Sequence, residues 1–226
     1  MNLFDLHPSP ETLKGYEQRL NVPQIAYEEA LKRAKVRGKW TGKRSPDLEP
    51  AIAKNAETAY NYAHRFIKQR WPEGEPAIAK DPEIASDYAQ NIIKGRFPEA
   101  ERVIAKHAEA ACEYAMYILD RRWPEAEPAI IKNPKTAGDY AFSVLGKRWR
   151  KAEPVIATGS ESAYEYARFI LNRRWPEGEP TIAKDTQLAW YYARDVIKGR
   201  WPEGEPAIAK ERFWAEKYEK HFKVKL

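Results

Sequence analysis

The chain has one cysteine, Cys112, in 226 residues, so it cannot close an intramolecular disulfide. With no CxxC or HxxxH spacing, the sequence also argues against a thiol-rich metal site. Its four histidines, His7, His64, His107 and His221, are scattered and none has a partner at metal-ligand spacing. No metal and no cofactor is expected. No apolar run approaches the ~20 residues that span a bilayer, and the opening MNLFDLHPSP has neither the basic start nor the apolar core of a signal peptide. These absences point to a soluble chain in a reducing cytoplasm, without a membrane partner. No Ser-His, Cys-His or paired-carboxylate constellation appears, so no catalytic residue is assigned and an enzyme is not expected. A catalytic pocket would have to be built from the non-repeating residues near the amino terminus.

One-sided charge is also lacking over most of the chain. The net charge is +6, but residues 1–45 carry +4 of it and the remaining 181 residues only +2. The excess sits in Lys32, Arg33, Lys35, Arg37, Lys39, Lys43 and Arg44, a stretch with no acidic residue.

A strict internal repeat is present. Shifting the sequence by 26 residues superimposes Trp71, Phe97, Trp123, Trp149, Trp175 and Trp201, with Ser45 in the same slot one period upstream. The unit reads approximately W-P-E-G/A-E-P-A-I-A-K-D/N-P-x-x-A-x-x-Y-A-x-x-I-I-K-x-R, and positions are counted here from the aromatic as zero. In the unit starting at Trp71, Ala85, Tyr88, Ala89, Ile92 and Ile93 fall at i, i+3, i+4, i+7 and i+8, one buried helical stripe. Asp81-Pro82 and Asn133-Pro134 are start signals for this second helix, a side-chain acceptor followed by proline at the first helical position. The helix is expected to run about 13 residues. The shorter first helix has two readings: either Pro72 starts it and Pro76 costs a backbone bond, or it starts near Glu75. The invariant Glu column (Glu49 to Glu205) is expected to pair with the Arg column of the neighbouring unit.

Such a unit cannot bury its stripe alone, so neighbours must stack. The expected fold is all-α, a right-handed α-solenoid of two-helix 26-residue repeats. Residues 1–44 are read as a helical cap with a basic segment, helical from about Pro23 to Lys39, and residues 45–226 as seven repeats, the last truncated and capping. The unit resembles short helical repeats of uncharacterised bacteriophage proteins and their bacterial hosts, and is similar in architecture to tetratricopeptide and Sel1-like α-solenoids. The resemblance implies a binding scaffold of viral origin, acting in the host cytoplasm, and hands over no catalytic residue.

What repeats is expected to be architecture, so specificity is sought where the period breaks. Positions 12, 15, 16, 19 and 20 of the second helix vary and are rich in aromatics. The candidate partner-binding residues are Tyr60, His64, Tyr117, Phe142, Tyr164, Arg168, Trp190, Tyr191 and Arg194; Phe169, Asp139, Glu165 and Asp195 share those columns. Exposed aromatics and arginines anchor protein interfaces, so a protein partner is expected, with the chain acting as an inhibitor or adaptor. Some of these aromatics could instead pad between helices. The alternative partner is a nucleic acid, with Lys32, Arg33, Lys35, Arg37, Lys39, Lys43 and Arg44 on phosphates and aromatics stacking on bases. The Gly38–Gly42 stretch encloses three residues where a phosphate-binding loop needs four, and is read as a basic turn into the first repeat. Cys112 is read as an ordinary variable residue.

Overall fold

The computed structural model describes residues 21–226. His7 and the amino-terminal part of the expected cap lie outside the described residues. Two compact units are formed, one through Val103 and the other Ile104–Leu226, and each is a stack of helix pairs, an all-α solenoid segment.

The first unit opens with α1, Val22–Arg33, where Asn21 Oδ1 accepts from the Gln24 N–H (3.4 Å). The expected helix to Lys39 is not formed. Instead β1 (Lys35–Val36) pairs antiparallel with β2 (Lys39–Trp40), because Arg37 and Gly38 both take left-handed backbone, φ 49° and 77°, as a tight two-residue hairpin turn requires. The Thr41 N–H and hydroxyl both donate to the Ala34 carbonyl (2.8 Å each), tying the hairpin to the end of α1.

In the repeats, the first helix is a single turn starting at the invariant glutamate: Glu49–Ile52, Glu75–Ile78, Glu127–Ile130, Glu153–Ile156, Glu179–Ile182 and Glu205–Ile208. Of the two readings left open, the later start is the one adopted. The third repeat supplies the reason: Arg102 replaces proline there, and the helix extends back to Pro98–Ile104. Proline at position 5 lacks the N–H that an earlier start would use, and its ring opposes the carbonyl four residues back.

The second helix begins as expected. Asp81 Oδ1 accepts from the Glu83 and Ile84 N–H groups (3.1 and 3.0 Å), and Asn55, Asn133 and Asp185 cap their helices in the same manner. Its second half is not α-helical. After α-helical Pro82–Tyr88 the chain winds as a π-helix over Ala89–Ile93, and the same change occurs at Ala63–Ile67, Ala115–Leu119, Ala141–Leu145, Tyr166–Leu171 and Ala193–Ile197. Position 23 then stops the helix in left-handed backbone (φ 47–58°) at Lys68, Lys94, Asp120, Gly146, Asn172 and Lys198, and in the last repeat, whose second helix stays α-helical, Lys223 at position 22 does so (φ 55°). The wider winding turns positions 21 and 22 partly out of the stripe, so Ile92 and Ile93 are half-buried while Ala85, Tyr88 and Ala89 are fully buried.

The stack is held by the Ile column of the first helices, fully buried from Ile52 to Ile208, and by the Tyr column of the second. Tyrosines of this column also close a polar network. The Trp149 N–H donates to Tyr166 Oη (2.7 Å), the Tyr166 hydroxyl donates to Glu153 Oε1 (3.1 Å), and Arg148 donates Nε and Nη2 to the two oxygens of Glu153 (2.5 and 2.9 Å). The same four groups recur around Tyr62, Tyr88, Tyr192 and Tyr218. The expected Glu–Arg pairing is therefore present, and the arginine ties one repeat to the next.

Positions 0 and 3 are coupled by size. A Cβ on Gly74, Gly178 or Gly204 would lie 2.6, 2.6 or 2.2 Å from Cε3 of the tryptophan three residues earlier. Their backbone is ordinary helical (φ −86 to −90°), so glycine is required there for space alone. Where alanine occupies the slot, Phe97 replaces tryptophan beside Ala100, or Trp123 and Trp149 stand slightly more exposed.

Candidate partner-binding face

Position 15 does not face outward. It meets position 20 of the next second helix: in the first unit Asn91 Nδ2 donates to Tyr60 Oη (3.1 Å), and in the second the Tyr164 hydroxyl donates to Asp195 Oδ2 (2.9 Å). Tyr164 is 6 % exposed and Trp190 4 %, Trp190 lying edge-on to Tyr218, His221 and Phe222. Both were expected on the binding face and both belong to the packing between helices. The same column buries Cys112, whose Sγ faces the Thr136 carbonyl (3.6 Å) and whose thiol burial pushes up to about 12.

Of the other expected residues, Tyr60 and His64 stack at 6.0 Å in the first unit, with His64 exposed. In the second unit Arg168 and Arg194 both bind Asp195 (2.9 and 2.5 Å), and the Arg194 hydrogen bond holds that carboxyl below its usual range despite partial burial. Each arginine also lies over a ring, Arg168 over Phe169 and Arg194 over half-buried Tyr191, both at 4.9 Å. These arginines rigidify the surface and are not free to recruit an anion.

The outward columns are 19 and 20. In the second unit they display Tyr117 (59 % exposed), Phe142 (56 %) and Phe169 (51 %). Phe142 and Phe169 touch, with centroids 5.7 Å apart, across the mouth of a cleft of about 360 Å³ lined by Gly138, Asp139, Phe142, Glu165, Tyr166, Phe169 and Ile170. Gly138, one of the lining residues, makes position 15 glycine in this repeat alone. Glycine inside a helix costs about 1 kcal/mol against alanine, and here a Cβ would meet nothing closer than Ser162 Cβ at 3.5 Å, so the fold does not demand it. Asp139 carries Lys135 (2.6 Å). Burial, then Glu161 and Asp139, hold the Glu165 carboxyl above its ordinary range. Sequence reasoning passed over Gly138; the available signal was a lone glycine in a column of larger side chains.

The basic segment is divided by the structure. Arg33 is bound by Glu29 (3.1 Å) and Asp47 (2.6 Å), and Arg44 by Glu49 (2.9 Å). Lys32, Lys35, Arg37, Lys39 and Lys43 are exposed and make no ion pair among the described residues, and Trp40 on the hairpin is 46 % exposed. Among the described residues no group of His, Cys, Asp and Glu could hold a metal ion, and no helix is long and apolar enough to cross a membrane.

Comparison with protein-family models, with curated proteins and with solved structures gives no match for this chain.

Proposed function

We propose that the chain is a non-catalytic protein-binding repeat scaffold that engages its partner through the outward columns of the second helices. The observation carrying this reading is the exposure of Tyr117, Phe142 and Phe169 on one face of the second unit, in repeats whose tryptophans, column tyrosines and column isoleucines are buried. Exposed aromatics in contact with one another anchor interfaces well, because few rotamers are lost on binding. The role as a phage-encoded inhibitor or adaptor of a host protein, implied by the repeat resemblance, belongs to the same reading.

The test is affinity capture from host lysate with the intact chain and with Phe142→Ala/Phe169→Ala. A partner held by the intact chain and reduced at least about tenfold by the double substitution is expected, since such anchors contribute about 2 kcal/mol or more. Thermal stability should hardly change, because both side chains are exposed. Equal capture by both proteins would overturn this placement of the face.

One observation favours a second reading. The β1–β2 hairpin presents an exposed tryptophan beside unpaired lysines and an arginine, a combination suited to single-stranded nucleic acid. If that surface binds, affinity for an oligonucleotide should fall steeply with added salt and be abolished by Lys35→Glu/Lys39→Glu; salt-independent or absent binding excludes it.

A further inference from the structure

On the outer face of the second unit, several aromatic rings are covered by cations from within the chain. Arg168 lies over Phe169 and Arg194 over Tyr191, both sharing Asp195; Lys217 lies over Phe213 (4.2 Å) and Trp214 (4.8 Å). The cations Arg168, Arg194 and Lys220 occupy column 19. One repeat earlier that column holds Phe142, and among the described residues no cation lies over its ring. Next to it Glu165 makes no ion pair among the described residues, and Gly138 leaves the cleft unfilled.

The surroundings carry the matching charge. Glu109, Glu113, Asp139, Glu161 and Glu165 lie on these second helices with two bases, Lys135 and Arg168. Lys135 is 76 % exposed where it meets Asp139, and an ion pair that open to water is readily exchanged. The charge of Arg168 is already answered by Asp195. A group entering the cleft therefore meets apolar walls and two carboxylates, the environment of an alkyl stem ending in a cation.

We propose that this cleft seats a lysine or arginine side chain of a partner protein, its stem against Gly138, Phe142 and Phe169 and its charged head between the Asp139 and Glu165 carboxylates. The proposal rests on the protein-binding reading above and names the chemistry of the partner at that face. A polypeptide is the fitting source: the acidic row recurs at Glu113, Asp139 and Glu165, and the exposed aromatic surface continues to Tyr117, far more than one small ammonium ion would cover.

The test follows backbone amide NMR shifts of the full chain on addition of a blocked Gly-Lys-Lys-Gly or Gly-Arg-Arg-Gly tetrapeptide, the same peptide with norleucine, or tetramethylammonium. Saturable shifts centred on Gly138, Asp139 and Glu165 are expected with the cationic peptides. They should be at least about tenfold weaker with norleucine or in Glu165→Gln, and abolished in Gly138→Trp, which fills the cleft. Equal response to norleucine, shifts centred elsewhere, or persistence in both variants would overturn the proposal, as would tetramethylammonium binding as tightly as the peptides. Unaltered circular dichroism of each variant, or Gly138→Phe should tryptophan not be accommodated, keeps the comparison valid. A captured protein that needs Phe142 and Phe169 but ignores Glu165→Gln and Gly138→Trp refutes the cleft and spares the face. One that ignores Phe142 and Phe169 refutes the face itself.

Discussion

Tyr166→Phe is expected to destabilise the chain by about 1–3 kcal/mol, a large loss for the removal of one oxygen atom. Tyr166 is 2 % exposed. Among the described residues its hydroxyl is the sole acceptor of the Trp149 N–H, a backbone donor at the start of a repeat, and at the same time it donates to Glu153. Phenylalanine keeps the ring packing against Trp175, whose centroid lies 5.2 Å away, but leaves a buried N–H without an acceptor. Such an orphan costs roughly 1–3 kcal/mol, and each kcal/mol lowers the midpoint of a chain this size by about 2–4 °C. Tyr191→Phe is the control: that hydroxyl accepts only from Gln187 Nε2 on the exposed surface (3.1 Å), so the change should stay within about 0.5 kcal/mol. Thermal and urea unfolding of both variants check this. If the two tyrosines behaved alike, the network would be a consequence of the stacking rather than a contributor to it.

This network also marks what the sequence made readable. The period alone identified the helix pairs, the buried Tyr and Ala columns and the pairing of Glu with Arg, because each repeat states the same packing problem again. The π-winding after Tyr88 and its counterparts was not legible. Its residues, such as Ala-Gln-Asn-Ile-Ile in one repeat and Ala-Phe-Ser-Val-Leu in another, share alanine and a closing apolar pair, a pattern an ordinary α-helical stripe also shows. The left-handed stop at position 23 is announced by Gly146 and Asn172 but disguised by lysine at Lys68, Lys94 and Lys198, where tertiary packing overrides local preference. The helix expected to reach Lys39 failed for a local reason: Arg37-Gly38 offers a tight turn, and the Ala34 carbonyl finds its partners in Thr41.

The candidate face was legible in part, and the winding explains the division. Helical spacing places position 15 on the same outward face as 19, which is how Tyr164 and Trp190 came to be grouped with Phe142. In the fold, position 15 is pinned against position 20 of the following repeat, while the wider turn carries positions 19 and 20 outward. Large aromatics at 15 are thus spacers between second helices. Gly138 lines the cleft, and Asp139 and Glu165 flank it because column 16 holds acids in four successive repeats, from Asp87 to Glu165.

Stability should collapse between about pH 10 and pH 12, well before the arginines lose charge. Burial pushes the phenols of Tyr62, Tyr88, Tyr166 and Tyr218 up to about 12, that of Tyr140 upward and that of Tyr192 further still; the backbone N–H at position 0 opposes the shift and the glutamate at position 4 reinforces it. Tyr164, against Asp195, is pushed up to about 12 as well. In the unfolded chain these groups ionise near about 10. The folded state therefore holds more protons than the unfolded state across this window, and stability must fall as pH rises. The contribution is fully present below about pH 10 and lost on the way to the folded-state values. Because the same shift recurs from repeat to repeat, the slopes add and the loss is steep. The column guanidiniums also have their pKa raised, by hydrogen bonds to Glu75, Glu153 and Glu205, which for a cation favours the charged form, so they stay charged throughout and do not cause the transition. Helical circular dichroism and tyrosinate absorbance followed together through an alkaline titration test this: the late-titrating tyrosines should ionise in the same transition that removes the helix signal. Tyr166→Phe, although less stable at neutral pH, should lose stability less steeply over the window because it has one fewer linked proton. Buried tyrosines ionising while the helices persist would mean that water reaches the Tyr column in the folded state.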